Sequence, residues 1–98
     1  MFHYLIDAPQ SVIINGVNIN RANIGSTSIM HCTAQALPAP KFVWQKGGQP
    51  YNGPADVGNG TLIFRDVKTE DSGIYRCTAS NMLGEAHFER SFTVYGTY

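Results

Sequence analysis

The chain has 98 residues, and seven Lys and Arg are balanced by seven Asp and Glu, so the formal net charge at pH 7 is zero. Because the chain is neutral and has no basic run, nucleic acid, heparin-like polyanions and anionic membrane surfaces are not expected as main partners. The length suits one domain rather than two, and no apolar stretch approaches the roughly 20 residues that span a bilayer, so direct membrane insertion is not expected.

Residues 1–7 carry neither the basic segment nor the long apolar segment of a signal peptide. We therefore predict one domain over residues 1–98, taken from a longer protein. Residues 1–3 and 96–98 are expected to be introduced ends or linkers to neighbouring domains.

Turn signals follow one another at the short intervals of an all-β chain. They include Asn15-Gly16, Pro38-Ala39-Pro40, Gly47-Gly48, Asn52-Gly53, Asn59-Gly60 and Asn81-Met82-Leu83-Gly84. Pro9 cannot donate a ladder hydrogen bond, so the first strand is expected to split there and to continue in the other sheet over residues 12–14 or 17–19. Period-2 alternation then predicts strands over residues 26–36, 41–46, 61–66, 73–81 and 85–95. No window of helical length carries a 3.6-residue apolar period, so helix is excluded as a major element.

Alternation along these strands also predicts which side chains face the core. The inward set is Met30, Cys32, Ala34, Phe42, Trp44, Leu62, Phe64, Tyr75, Cys77, Ala79, Ala86, Phe88, Phe92 and Val94, with Val67 as a cap. Two positions depart from the pattern. Ser28 is polar at an inward position, and Arg90 would point inward under strict alternation, so we expect a bulge or a frayed edge in the last strand.

Four short motifs together resemble the immunoglobulin superfamily, and within it the intermediate set. They are Pro38-x-Pro40-x-x-x-Trp44, Asn59-Gly60-Thr61-Leu62, Asp71-Ser72-Gly73-Ile74-Tyr75-Arg76-Cys77 and Asn81-Met82-Leu83-Gly84. The resemblance covers essentially the whole chain, and it implies an all-β immunoglobulin-like sandwich of two antiparallel sheets with Greek-key connections. Only 16 residues lie between Trp44 and Thr61, too few for the extra strand pair of a variable domain.

The resemblance also implies roles for individual residues. Cys32 and Cys77 would form a disulfide between the sheets, with the Trp44 indole packed on it, and Tyr75 would occupy the tyrosine corner. The other signature positions are Leu62, Asp71 and Gly73. The alternative is two buried free thiols in a reducing cytosol, as in related muscle domains.

No group of residues has the spacing of a catalytic, cofactor or metal site, so we predict that the chain is not an enzyme and carries no cofactor. Ser72 adjoins Asp71 on a turn, where the resemblance gives both a structural role. His3, His31 and His87 are far apart in sequence, and the last two are expected on different sheets.

Asn59-Gly60-Thr61 is an N-glycosylation sequon. The alternative is that Asn59-Gly60 only supplies the turn before the next strand.

Function is therefore expected from a surface. The resemblance to the immunoglobulin superfamily implies a partner face on the outer side of the sheet that contains the strands over residues 41–46, 73–81 and 85–95. Its residues are Val43, Gln45, Ile74, Arg76, Thr78, His87 and Glu89.

The resulting prediction is a recognition or spacer module of an extracellular, cell-surface adhesion molecule, receptor or matrix protein, which binds a protein partner, heterophilic or homophilic, and neighbouring domains of its own chain. Homodimerisation stays open. The alternative is an intracellular structural domain of a giant muscle filament protein in the sarcomere.

Overall fold

The computed structural model describes residues 6–96, and strands dominate them. The strands are β1 (Asp7–Val17), β2 (Arg21–Asn23), β3 (Ser28–Leu37), β4 (Lys41–Lys46), β5 (Gln49–Pro50), β6 (Asp56–Gly58), β7 (Thr61–Phe64), β8 (Gly73–Asn81) and β9 (Gly84–Tyr95). A single-turn 3₁₀ helix over Thr69–Asp71 joins β7 to β8. The predictions for residues 1–3, 97 and 98 fall outside the described residues.

The strands form two facing sheets, and the predicted all-β immunoglobulin-like sandwich is confirmed. The four-stranded sheet has the order β1-β3-β7-β6, and the five-stranded sheet has the order β2-β9-β8-β4-β5. Non-consecutive strands are neighbours in both sheets because the connections β1–β2, β2–β3, β3–β4, β5–β6 and β7–β8 cross from one sheet to the other. The pairing of β2 with β9 is parallel, which the prediction of purely antiparallel sheets did not include.

The first strand changes sheets after Val17, and the prediction that it does so at Pro9 is wrong. β1 pairs with β3 from Asp7 to Val17, and β2 begins only at Arg21. Pro9 is accommodated because the β1–β3 register shifts between Asp7 and Gln10 and again between Gln10 and Ile13. Such bulges leave a residue unpaired, so a proline without an N–H fits inside the strand.

The core lies between the sheets and is rich in aromatic rings. Phe64 stacks on Phe92 with ring centroids 5.8 Å apart, and Tyr75 meets both rings edge-on. The predicted inward residues are all buried except Ala34, Phe42, Ala86 and Phe88, which are half-buried and pack against the core. Ser28 is fully buried, and its hydroxyl donates to the Asn18 carbonyl at 3.1 Å.

The predicted bulge beside Arg90 is wrong, because β9 pairs with β8 there without a register shift. The β8–β9 register is unbroken from Gly73 opposite Phe92 to Asn81 opposite Gly84. Arg90 therefore keeps its inward direction and is half-buried. Its guanidinium lies 5.8 Å from the Phe88 ring centroid and donates to Asn20 Oδ1, so the charge leaves the core at the side of the sandwich.

Candidate protein-recognition surfaces

A disulfide between Cys32 and Cys77 joins the two sheets at the middle of the sandwich. The two Cα atoms are 6.4 Å apart, and the bond closes 45 residues of chain. Trp44 is buried and lies directly opposite Cys77 in the β4–β8 pair. The disulfide holds the two outer faces in a fixed relation to each other.

The turn before β8 is held by its own signature residues. The Tyr75 hydroxyl donates to the Asp71 carbonyl at 2.6 Å, and Asp71 Oδ2 accepts the Lys68 N–H at 2.9 Å. Burial, together with the nearby Asp71 carboxylate, raises the pKa of Tyr75 above its ordinary value. Ser72 Oγ accepts the Val94 N–H at 2.9 Å. The side-chain oxygens of Asp71 and Ser72 are thus both engaged in hydrogen bonds with the backbone around this turn. A Cβ added at Gly73 would lie 2.9 Å from Lys46 Cε.

The predicted partner face lies on the five-stranded sheet, but the structure divides it into three rows across the strands. The rows are Val43, Thr78 and His87; then Gln45, Arg76 and Glu89; then Ile74 opposite Ser91. Val43 and Ile74 are each more than half exposed. Thr78, which lies opposite Val43, is four positions from Ile74 on β8, a distance of about 13 Å at the rise per residue of a strand. Val43 and Ile74 therefore do not form one apolar patch.

The row between them is charged and internally paired. Arg76 Nη2 lies 3.1 Å from Glu89 Oε2, and Arg76 Nε donates to the same oxygen at 3.2 Å. Both side chains are partly exposed, so the ion pair stabilises the fold by less than about 1 kcal/mol and can be reorganised by a partner.

Asn59 lies on the turn between β6 and β7, at the edge of the other sheet. Its side chain is exposed, and its φ of +53° lies in the left-handed region, between Gly58 and Gly60 at +90° and +77°. The Thr61 hydroxyl is 2.6 Å from His31 Nδ1 on β3. Asn59 therefore belongs to the four-stranded sheet, whereas the predicted partner face belongs to the five-stranded sheet.

The histidines lie as predicted on different sheets, His31 on β3 and His87 on β9. Within residues 6–96, the structure brings together no group of three or more His, Cys, Asp or Glu side chains. His3 falls outside that range, so the absence of a metal site stays a prediction. In the same residues, no helix is both long enough and apolar enough to cross a membrane.

The two ends of the sandwich differ in surface chemistry. At the N-terminal end, Ile6, Leu37, Met82 and Leu83 are exposed to between 43% and 85%. The other end has a polar groove of about 530 Å³. Its walls are formed by Asn18, Arg21, Ala22, Asn23, Ser26 and Tyr95. These residues lie in loops, in the three-residue strand β2 or at the ends of β3 and β9, where alternation gave no signal.

Comparison with known proteins identifies similar domains. The family model described as "Immunoglobulin domain" matches residues 9–81. Hemicentin-2 of Mus musculus is 32% identical over 92 residues, which are 93% of this chain and 2% of that protein. Vascular endothelial growth factor receptor 1 of Rattus norvegicus is 29% identical over 96 residues, covering 94% of this chain and 7% of the receptor. The matched region thus spans less than a tenth of the length of each of these two relatives.

Solved structures agree with the fold. Extracellular domains 3–5 of Drosophila OTK superpose with a TM-score of 0.78 at 28% identity, over 93% of this chain and 33% of that one. The titin M3 domain superposes with a TM-score of 0.74 at 26% identity, over 91% of this chain and 98% of that one.

Proposed function

The chain belongs to the immunoglobulin domain family, and we propose that it is a protein-recognition or spacer module of an extracellular multi-domain receptor or adhesion protein. The observation that carries the proposal is the disulfide between Cys32 and Cys77, since disulfides persist in oxidising compartments. The similarity to a growth factor receptor and to extracellular domains of OTK supports the same class.

Recognition is assigned to the outer face of the five-stranded sheet. Val43, Thr78 and His87 offer a mixed apolar and polar row beside the Arg76–Glu89 pair. A partner carboxylate would engage Arg76 by a two-pronged hydrogen bond, while a partner apolar side chain would cover Val43. The partner is a protein, either a different one or a second copy, and the chemistry is non-covalent. Asp71 and Ser72 already hold the turn, which supports a role without catalysis.

N-glycosylation of Asn59 is part of the same proposal. The exposed side chain on a turn is accessible for modification, and a glycan there would project from the four-stranded sheet. The partner face on the other sheet would stay free.

A screen of the secreted chain against an array of purified cell-surface ectodomains, with the chain itself included, tests the recognition role. Val43→Lys/Arg76→Glu should abolish binding to the partner found. Thr33→Lys, an exposed β3 position on the other sheet, is the matched control and should bind normally. Binding that Val43→Lys/Arg76→Glu retains would contradict the assigned face, and no binding across the array would favour the spacer role.

A second candidate function is a structural domain in an intracellular muscle filament. The likeness to titin M3 over nearly all of both chains favours it. In that setting the cysteines would remain reduced and the domain would bear load rather than bind a cell-surface partner.

A further inference from the structure

A pocket of about 320 Å³ opens at the edge of the sandwich, where the chain crosses from β5 to β6. We call it the β6–β7 pocket. Its volume lies at the lower end of the roughly 300–1,000 Å³ range of ligand pockets, so it suits one large side chain. The pocket shares no residue with the predicted partner face. Its apolar walls are formed by Tyr51, Pro54, Ala55, Val57, Ile63 and Phe64.

The aromatic core reaches the surface in this pocket. The Tyr51 ring centroid lies 6.3 Å from that of Phe64 and 6.0 Å from that of Tyr75, and both contacts are edge-on. Phe64 and Tyr75 are buried, whereas Tyr51 is half-buried and lines the pocket. Since aromatic rings favour edge-to-face neighbours, another ring placed in the pocket would extend this series of contacts beyond Tyr51.

The Tyr51 ring is held in position before anything binds. A Cβ added at Gly53 would lie 2.3 Å from Tyr51 Oη, so the backbone can cover the hydroxyl only because residue 53 has no side chain. The Ile63 N–H donates to the Ala55 carbonyl at 2.8 Å, and this bond joins two walls of the pocket. Because the pocket is preformed, a ligand pays little conformational entropy to order it.

The charged groups around the pocket are balanced. Two are cations and two are anions: Arg65 and Lys68, Asp66 and Asp71. A partner carboxylate would meet the two aspartates, and a partner cation would meet Arg65 and Lys68, so neither sign is favoured. Burial raises the pKa of the Tyr51 phenol, which is therefore uncharged near neutral pH. The pocket thus favours an uncharged occupant.

An apolar row continues from the pocket across the outer face of the four-stranded sheet. The register places Val17 opposite Ile29, and Ile29 opposite Ile63, which also lines the pocket. Val17 is more than half exposed, and the two isoleucines are half-buried. A free small molecule in the pocket would leave this row in water, whereas a protein would cover the pocket and the row together.

We propose that the β6–β7 pocket receives an uncharged aromatic side chain of a partner protein, whose surface also covers the row of Val17, Ile29 and Ile63. An aromatic anchor in a preformed pocket is the kind of contact that dominates the affinity of protein interfaces. The site goes beyond the proposed function, because it shares no residue with the assigned partner face and does not depend on it.

Titration of the 98-residue chain with N-acetylphenylalaninamide, followed by its amide NMR signals, tests the pocket. The signals of Ala55, Val57 and Ile63 should shift and saturate, with a dissociation constant on the order of 1 mM for a ligand of this size. The arginine and aspartate analogues of the probe should bind about tenfold more weakly, because each meets two like charges. Equal shifts from all three probes, or no shift at these residues with the phenylalanine probe, would overturn the proposal.

Val57→Lys places a charged head and a long stem in the wall of the pocket and should weaken binding of the phenylalanine probe about tenfold. Val43→Lys is the matched control, because Val43 and Val57 are 55% and 57% exposed but Val43 lies on the five-stranded sheet. Both variants should keep the wild-type melting temperature, and Val43→Lys should bind the probe normally. Probe binding that Val57→Lys retains, or that both variants lose, would contradict the pocket.

The ectodomain array distinguishes this site from the assigned partner face. A partner anchored in the pocket should bind Val43→Lys/Arg76→Glu and fail to bind Val57→Lys. Replacing one exposed aromatic residue of that partner by alanine should abolish its binding. An array that contains no partner with this pattern would overturn the inference and leave the assigned face to its own test.

Two other occupants are outcomes of the same experiments. Probe binding that the glycosylated chain lacks and that Asn59→Gln restores would assign the pocket to the chain's own glycan. Concentration-dependent dimerisation of the chain, lost in Val57→Lys, would assign the pocket to a second copy. Either result would overturn the proposal.

Discussion

At the N-terminal end of the sandwich the loops are tied together by the amide of Asn81, whereas at the C-terminal end the turn before β8 is tied by the phenol of Tyr75 and the carboxylate of Asp71. Both sets of hydrogen bonds satisfy backbone N–H or C=O groups that have no strand partner at the ends of the strands. The residues beside them differ: Met82 and Leu83 expose apolar surface, whereas the other end forms a polar groove. The signature residues build the ends, and the residues beside them determine whether each end is apolar or polar.

The disulfide lies between the two ends, and its removal should weaken both. Cys32→Ala/Cys77→Ala should lower the free energy of unfolding by about 4 kcal/mol, the chain-entropy value for a closed loop of this length. Urea unfolding measures the loss, and amide exchange should accelerate equally at both ends. A loss confined to one end would contradict the central position of the disulfide in the fold.

Asn81→Ala should affect the N-terminal end alone. Three hydrogen bonds disappear, and at 0.5–1 kcal/mol each the loss is about 2 kcal/mol. Exchange at the Leu83 amide should accelerate while the turn at Thr69–Asp71 stays protected. Asn81→Asp is the control, because it keeps the acceptor for Leu83 but not the two donated bonds. An unchanged exchange rate of the Leu83 amide in Asn81→Ala would contradict this role of the side chain.

Tyr75→Phe should affect the C-terminal end alone, and by less. Losing the bond to the Asp71 carbonyl should cost about 1 kcal/mol at pH 7. Because burial raises the pKa of Tyr75, the folded state retains the phenol proton more tightly than the unfolded state does. The contribution of the Tyr75 phenol to the free energy of unfolding is complete below its unfolded pKa of about 10. This contribution is lost as the pH rises above that value.

Unfolding curves between pH 7 and 11 check this dependence. The wild type should lose more stability than Tyr75→Phe above pH 10, so the difference between them should shrink. Parallel curves would mean that the phenol ionises equally in both states.

Much of the architecture could be predicted because strand periodicity is local. Residues 41–46 and 73–81 form strands with the predicted bounds, since each has a buried anchor, Trp44 or Cys77, that sets the inward face. The sheet change at residues 18–20 could not be predicted, because two bulges around Pro9 allow β1 to continue past it. Arg90 was misjudged because alternation does not reveal that its long side chain can leave the core towards Asn20.

The surfaces were less predictable than the core. Alternation identified which residues of the partner face point outward, but the spacing that separates Val43 from Ile74 depends on the register between strands. Leu37 and Met82 are distant in sequence, and only the fold brings these exposed apolar residues to one end.

The intact mass of the chain after expression through a secretory pathway tests the extracellular assignment most directly. Before reduction, the account predicts a mass lower by two hydrogen atoms than that of the reduced chain, together with an enzymatically removable glycan that Asn59→Gln lacks. Two free thiols and no glycan on the secreted protein would contradict it and favour the filament domain.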